Sequence, residues 1–181
     1  ISGASQLFSE NFRNVEAVVV NGGRLSTFFR GANGGWGQPP DVTGIVNAQG
    51  MPAFIQARVR GALQMHVVVG VASGGMVHLV RNESTLQWSV LHRFGSGNVR
   101  GVAMIQGNYW GEGGAANLEL VAWVGDELRS WFLPDGGQWW PNGVILTGGV
   151  GGAPALIQSN RGTRGNFEVL VPLASGGIAH H

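Results

Sequence analysis

The stretch Pro154-Ala155-Leu156-Ile157-Gln158 decides the fold, because the chain writes it three times. Pro52-Ala53-Phe54-Ile55-Gln56 and Val102-Ala103-Met104-Ile105-Gln106 are the other copies. Their alanines stand 50 and 52 residues apart, and a period near 50 marks a repeat architecture. Other markers keep the same phase. Asn14-Val15-Glu16, Asn117-Leu118-Glu119 and Asn166-Phe167-Glu168 form one series. Ser73-Gly74-Gly75 and Ser175-Gly176-Gly177 form another, with Asn21-Gly22-Gly23 as a looser copy. Phe29-Arg30 matches Val80-Arg81, and Trp36, Trp88 and Trp139 recur at 52 and 51 residues.

Each repeat reads as four strands. The A-x-I-Q phrase is the first. A β-branched run follows, such as Met65-His66-Val67-Val68-Val69 or Phe167-Glu168-Val169-Leu170-Val171. A Gly-Gly or Gly-Asp pair then signals a two-residue hairpin. The third strand is Leu25–Arg30 or Met76–Arg81, and the fourth carries the repeat's Trp. No stretch has the apolar period of an amphipathic helix. Four antiparallel strands recurring at this interval predict an all-β fold, a β-propeller of four-stranded blades with A-x-I-Q innermost. A β-sandwich is the alternative. The repeats run approximately over 4–51, 52–101, 102–153 and 154–181, the last incomplete, so 3.5 to 4 blades are expected in one domain. Ile1-Ser2-Gly3 is read as the tail of an outer strand. Open blades leave edges and faces exposed. Three closures follow: two chains forming a seven-bladed homodimer, a piece of a longer propeller, or four short blades closing alone. The start at Ile1 without Met points to processing or a longer parent chain. His180-His181 is compatible with a purification tag and is not read as a metal site.

Composition excludes several chemistries. Only 12% of the 181 residues are charged and the formal net charge is +1, which argues against nucleic acid as a partner. The eleven basic residues are all Arg, so lysine chemistry is absent. With no Cys there is no disulfide, thiolate site or Cys nucleophile. No apolar run reaches the ~18 residues of a membrane-spanning helix. The cell compartment stays open, with a secreted or cell-surface setting favoured. Neither G-x-S-x-G nor H-E-x-x-H occurs. Gly148–Pro154 fails the G-x-G-x-x-G spacing and precedes a strand, so it reads as an inter-blade loop. Glu16, Glu119 and Glu168 recur once per repeat, with His66 in the second copy; this suits structural or multivalent roles better than a catalytic pair. His66, His78 and His92 lie on separate predicted strands without ligand spacing, so no metal is expected. The chain is therefore expected to be no enzyme and to need no cofactor.

The aromatic residues point to a ligand. Trp36, Trp88 and Trp139 are repeat positions, while Trp110 lies in Gly107-Asn108-Tyr109-Trp110-Gly111-Glu112, read as a loop. Trp faces stack on the C–H face of a sugar ring, and Arg, Glu or Gln hydrogen-bond hydroxyls. Arg30 precedes Trp36, and Arg81 precedes Trp88, by one short turn. On these residues the chain resembles the lectin-type β-propellers of bacteria and fungi, of the fucose- and N-acetylglucosamine-binding kind. The resemblance implies a glycan site in each crevice between adjacent blades, carried by Arg30 with Trp36 and by Arg81 with Trp88. In the third repeat Leu133 replaces the Arg although Trp139 remains, so that crevice is expected to be weak or empty. Trp110 joins these as a candidate contact. Arg81→Ala is expected to weaken sugar binding without unfolding the chain. The alternative function is a non-catalytic scaffold binding a protein partner.

Overall fold

The computed structural model describes residues 2–6, 15–31, 33–38, 42, 47–110 and 116–181, with the backbone alone at 2–6, 109 and 110. Among the described residues every regular element is a strand. The first blade holds β1 (Ser2–Gln6), β2 (Val15–Asn21), β3 (Arg24–Arg30) and β4 (Trp36–Gly37). The second holds β5 (Ala48–Val59), β6 (Ala62–Val71), β7 (Met76–Arg81) and β8 (Trp88–Phe94). The third holds β9 (Val99–Trp110), β10 (Ala116–Val124), β11 (Glu127–Leu133) and β12 (Trp140–Thr147). The fourth holds β13 (Ala155–Gln158), β14 (Phe167–Pro172) and β15 (Ile178–His180). Each blade is an antiparallel meander in chain order. The inner strands β5 and β9 touch through one parallel pair, Met51 with Gly101.

The repeat seen in the sequence is kept as register. Ser5 faces Glu16, Ile55 faces His66, Ile105 faces Glu119 and Ile157 faces Glu168. The first β2–β3 hairpin turns at Gly22-Gly23, whose φ values of +56° and +78° are those of a two-residue turn that only glycine adopts freely. Ser2 and Gly3 belong to the innermost strand of the first blade, so they are not the tail of an outer strand. Two inner strands are also longer than the A-x-I-Q phrase, 12 residues each in β5 and β9. The extra length begins where Gly50, with φ +73°, approaches the third blade: a Cβ there would lie 2.6 Å from the Arg100 carbonyl oxygen.

Packing is between blades. Strand side chains alternate faces, so one blade feeds two cores. On β6, Met65, Val67 and Val69 pack toward the first blade with Val18 and Leu25. Val68 packs the other way, with Leu118, Leu120, Trp131 and Trp139 of the third blade. A third core joins Val121 and Leu128 to Leu156, Val169 and Val171 of the fourth. On the far face of the fourth blade Ile157, Leu170 and Ile178 remain exposed.

The glutamines of the A-x-I-Q phrase brace this arrangement. Gln106 Nε2 donates to the Arg58 carbonyl at 2.6 Å, and its Oε1 accepts the Arg58 N–H at 3.0 Å. Gln158 repeats the brace one blade on, accepting the Asn108 N–H at 2.9 Å and donating to Asn108 Oδ1 at 2.7 Å. The inner strands β5 and β9 are thus each stitched by the next blade's amide. The repeated Gln is a structural residue for this reason.

Candidate functional site

The sites to be judged lie between blades, where the glutamate position of one blade meets the arginine position of the next. Between the first and second blades these are Glu16 on β2 and Arg81 at the end of β7. Arg81 donates from Nη1 to Glu16 Oε2 at 2.6 Å and from Nη2 to Glu16 Oε1 at 3.0 Å. Its Nε and Nη2 also reach Glu83 Oε1 and Oε2, at 3.0 and 2.9 Å. Arg81 is 6% and Glu16 5% exposed. Four of the five guanidinium N–H groups are committed to two carboxylates in a fork geometry that lysine could not reproduce. Arg81 and Trp88 are cross-strand partners, with the guanidinium carbon 5.7 Å from the ring centroid. Trp88 is half-buried, and Glu83 is the more exposed of the two carboxylates.

This placement changes the expected role of Arg81. A buried guanidinium holding a buried carboxylate is a structural joint, so Arg81→Ala leaves Glu16 uncompensated. The expectation that this substitution spares the fold is withdrawn. The groups of this crevice that stay accessible are the Glu83 carboxylate and the Trp88 ring. Nothing in the sequence pattern had marked Glu83. The available signal was its place two residues after Arg81, on the turn into β8.

The first blade carries the same two positions in an open state. Arg30 pairs with Trp36 across β3 and β4, and Trp36 is 60% exposed. Arg30 is exposed and donates from Nε to the Gly34 carbonyl at 3.2 Å. The fourth blade presents the complementary position: Glu168 on β14 is the register equivalent of Glu16, and its Oε2 lies 2.6 Å from His180 Nε2.

Between the second and third blades both positions are replaced. His66 stands where Glu16 does, and Leu133 stands where Arg81 does. The substitutions come together, which avoids leaving one buried charge alone. Trp139 is 8% exposed and packs in the core. Its ring lies parallel to Phe94 at 4.8 Å, and its Nε1–H donates to His78 Nδ1 at 3.2 Å. Trp139 is therefore an inter-blade packing residue with both its face and its N–H occupied, and we remove it from the sugar contacts. Trp110 is the last residue of β9 and pairs with Ala116, so the loop expected there is a strand end; its side chain lies outside the described residues.

His66, His78 and His92, on separate strands as expected, are neighbours. His66 Nδ1 lies 3.0 Å from His78 Nε2, and His78 stacks on His92 at 5.7 Å. The hairpin register places them so: His78 and His92 are direct partners. Burial disfavours the charged form of all three. It pushes His66 down to about 4, against a smaller opposing pull from Glu83. His78 is driven well below the ordinary range by burial and by its two histidine neighbours, and His92 is lowered by burial and then by Arg60. Among the described residues no group of three or more His, Cys, Asp or Glu is arranged to hold a metal ion. Glu119 is the second glutamate of the series, pushed up to about 7 by burial against a hydrogen bond from Asn117.

No family model matches the sequence, and no curated protein matches it. Solved structures do. AofleA from Arthrobotrys oligospora superposes with a TM-score of 0.66 at 10% identity, over 92% of this chain and 49% of that one. A triple arginine-to-alanine variant of AofleA gives 0.69 at 9% identity, over 98% and 52%. A glycoside hydrolase family 43 arabinoxylan arabinofuranohydrolase from Bacillus subtilis, in complex with cellotetraose, gives 0.50 at 9% identity, over 99% and 51%. The chain spans about half the length of each. These likenesses establish the fold alone. The chain is an all-β series of β-propeller blades; among the described residues there are four, the fourth showing three strands.

Proposed function

We propose that the chain is a carbohydrate-binding propeller module without catalytic activity, and that the crevice between its first two blades is the sugar site. The observation that carries this reading is the Glu16–Arg81–Glu83 cluster beside Trp88. The guanidinium fixes both carboxylates. The fixed, accessible Glu83 oxygens accept hydrogen bonds from sugar hydroxyls without an ordering cost, and the neighbouring indole supplies an apolar face. The repeats' resemblance to lectin-type propellers supports the reading. So does the AofleA variant, whose replaced arginines recur at a constant interval close to this chain's period. Fucose- and N-acetylglucosamine-type sugars are the first ligands to test.

The open edges extend the reading to an assembly. Arg30 and the exposed Trp36 present the arginine and tryptophan positions of the same crevice. Glu168 and the exposed Ile157, Leu170 and Ile178 form the other half. A second copy docked head-to-tail would pair Glu168 with Arg30 as Glu16 pairs with Arg81, and would multiply weak sites into an avid ring. A single monomeric mass by light scattering at micromolar concentration contradicts this assembly.

A glycan array probed with the protein and with Trp88→Ala tests the sugar site. Trp88→Ala leaves the Glu16–Arg81 pair in place. Binding to a narrow set of terminal sugars, lost in the variant, is the expected result. Equal binding by both proteins would exclude the crevice.

A further inference from the structure

The crevice between the second and third blades holds a cavity of about 180 Å³, at the place where its neighbour holds the Glu16–Arg81 pair. Val59, Val80, Leu91 and Leu133 supply apolar walls. His66 and His92 line it too, with Arg60 and Gln64. His66 is fully buried, and its Nε2 has no hydrogen-bond partner. A buried polar atom without a partner costs roughly 1–3 kcal/mol, so a molecule that pairs with this nitrogen gains by it.

The protonation of that atom follows from the chain of contacts behind it. An indole N–H only donates. Trp139 Nε1–H donates to His78 Nδ1, which must therefore be unprotonated. Neutral His78 then carries its proton on Nε2 and donates it to His66 Nδ1. His66 Nδ1 is an acceptor, and its proton sits on Nε2. Trp139 thus orders two imidazoles in series and leaves one buried N–H donor unspent on a residue that lines the cavity. Arg60 is held over the same cavity: its backbone N–H donates to Asp135 Oδ1 and its Nη2 to the Gly136 carbonyl.

We infer that this cavity is a second binding site, distinct in chemistry from the sugar crevice, for a compact apolar molecule carrying one hydrogen-bond-acceptor oxygen, which takes the N–H of His66 Nε2. A cavity of about 150 Å³ is known to hold benzene, so a six-membered ring fits. Trp139 is a positioning residue in this site, acting through His78 and His66.

The test uses cyclohexanone, with methylcyclohexane as the shape control lacking an acceptor and L-fucose as the saccharide control. Side-chain ¹⁵N spectra of the three histidines report the tautomers. The expected result is His66 protonated on Nε2, cyclohexanone binding that perturbs that nitrogen, and affinity about tenfold above methylcyclohexane, the scale of one hydrogen bond. Trp139→Phe keeps the packed ring and removes the ordering N–H; it should give His78 and His66 mixed tautomers and weaken cyclohexanone several-fold. His66→Phe should abolish the preference for cyclohexanone over methylcyclohexane. His66 protonated on Nδ1, unchanged tautomers in Trp139→Phe, equal binding of the two rings, no binding of either, or L-fucose shifting His66 in preference to cyclohexanone would each overturn the proposal. The tautomer reading of the unaltered protein stands even if a variant fails to fold.

Discussion

Replacing Arg81 by Met should destabilise the chain far more than any surface arginine. The Arg81 and Glu16 side chains are each 7% exposed, and their bidentate contact joins residues 65 positions apart in neighbouring blades. Removing one partner of a buried pair leaves the other's charge desolvated, at about 3–5 kcal/mol. The lost contact to the more exposed Glu83 adds little. With a urea slope of about 2 kcal/mol/M, the unfolding midpoint should fall by about 1.5–2.5 M. Replacing both partners by uncharged residues of similar shape, Glu16→Gln with Arg81→Met, should restore most of that loss, because no buried charge remains. The crevice between the second and third blades already shows a natural neutral pair, His66 with Leu133. Tryptophan fluorescence in urea measures the double-mutant cycle. A single substitution that moves the midpoint by less than about 0.3 M, or a double whose loss is the sum of the singles, would refute the reasoning.

Other consequences are sharper by position. Gln106→Ala should cost about 1–2 kcal/mol and raise hydrogen exchange at the Arg58 amide specifically, leaving Asn108, braced by Gln158, protected. Protection retained at Arg58 would show that the brace is incidental. Glu119 titrates oppositely to most carboxylates: its folded pKa of about 7 lies above the ordinary 4.5. Below about 4.5 both states hold the proton; between about 4.5 and 7 the unfolded chain releases it first. Stability from this group therefore falls as pH rises, by about 3 kcal/mol in total. Glu119→Gln should be more stable than the parent near pH 8 and equal to it near pH 4, and an equal difference at both would refute this. His66 has the opposite sign. Its folded value of about 4 lies below 6.5, so its contribution is complete above 6.5 and disappears as pH falls toward 4. The Glu119→Gln variant should therefore lose stability more steeply than the parent across that window.

Much of the fold was legible because the repeat displays one environment several times. The Gly22-Gly23 turn, the β-branched second strands and the Trp that opens β4 and β8 all fall where the period puts them. The site was legible only in part, because its chemistry is shared between blades. Arg81 reads as an exposed strand end until Glu16, 65 residues earlier, is placed against it. Trp139 keeps the repeat position of Trp88 but meets Phe94 and His78, so the same residue type becomes core. The histidines lack ligand spacing along the chain because two hairpins, rather than one turn of helix, bring them together. The glutamine of A-x-I-Q could have been recognised as a brace from its recurrence, since Gln106 and Gln158 repeat the same inter-blade contact one period apart.

Indole N–H spectra of the seven tryptophans, recorded while L-fucose or N-acetylglucosamine is added, test the central claim most directly. Sugar in the crevice between the first two blades should shift Trp88, and Trp36 where a neighbouring edge completes its half-site. Trp131 and Trp139, packed in the core, should stay fixed. Shifts at Trp139 with Trp88 silent would contradict the assignment of the sugar site, and no shift at any indole would contradict the carbohydrate reading itself.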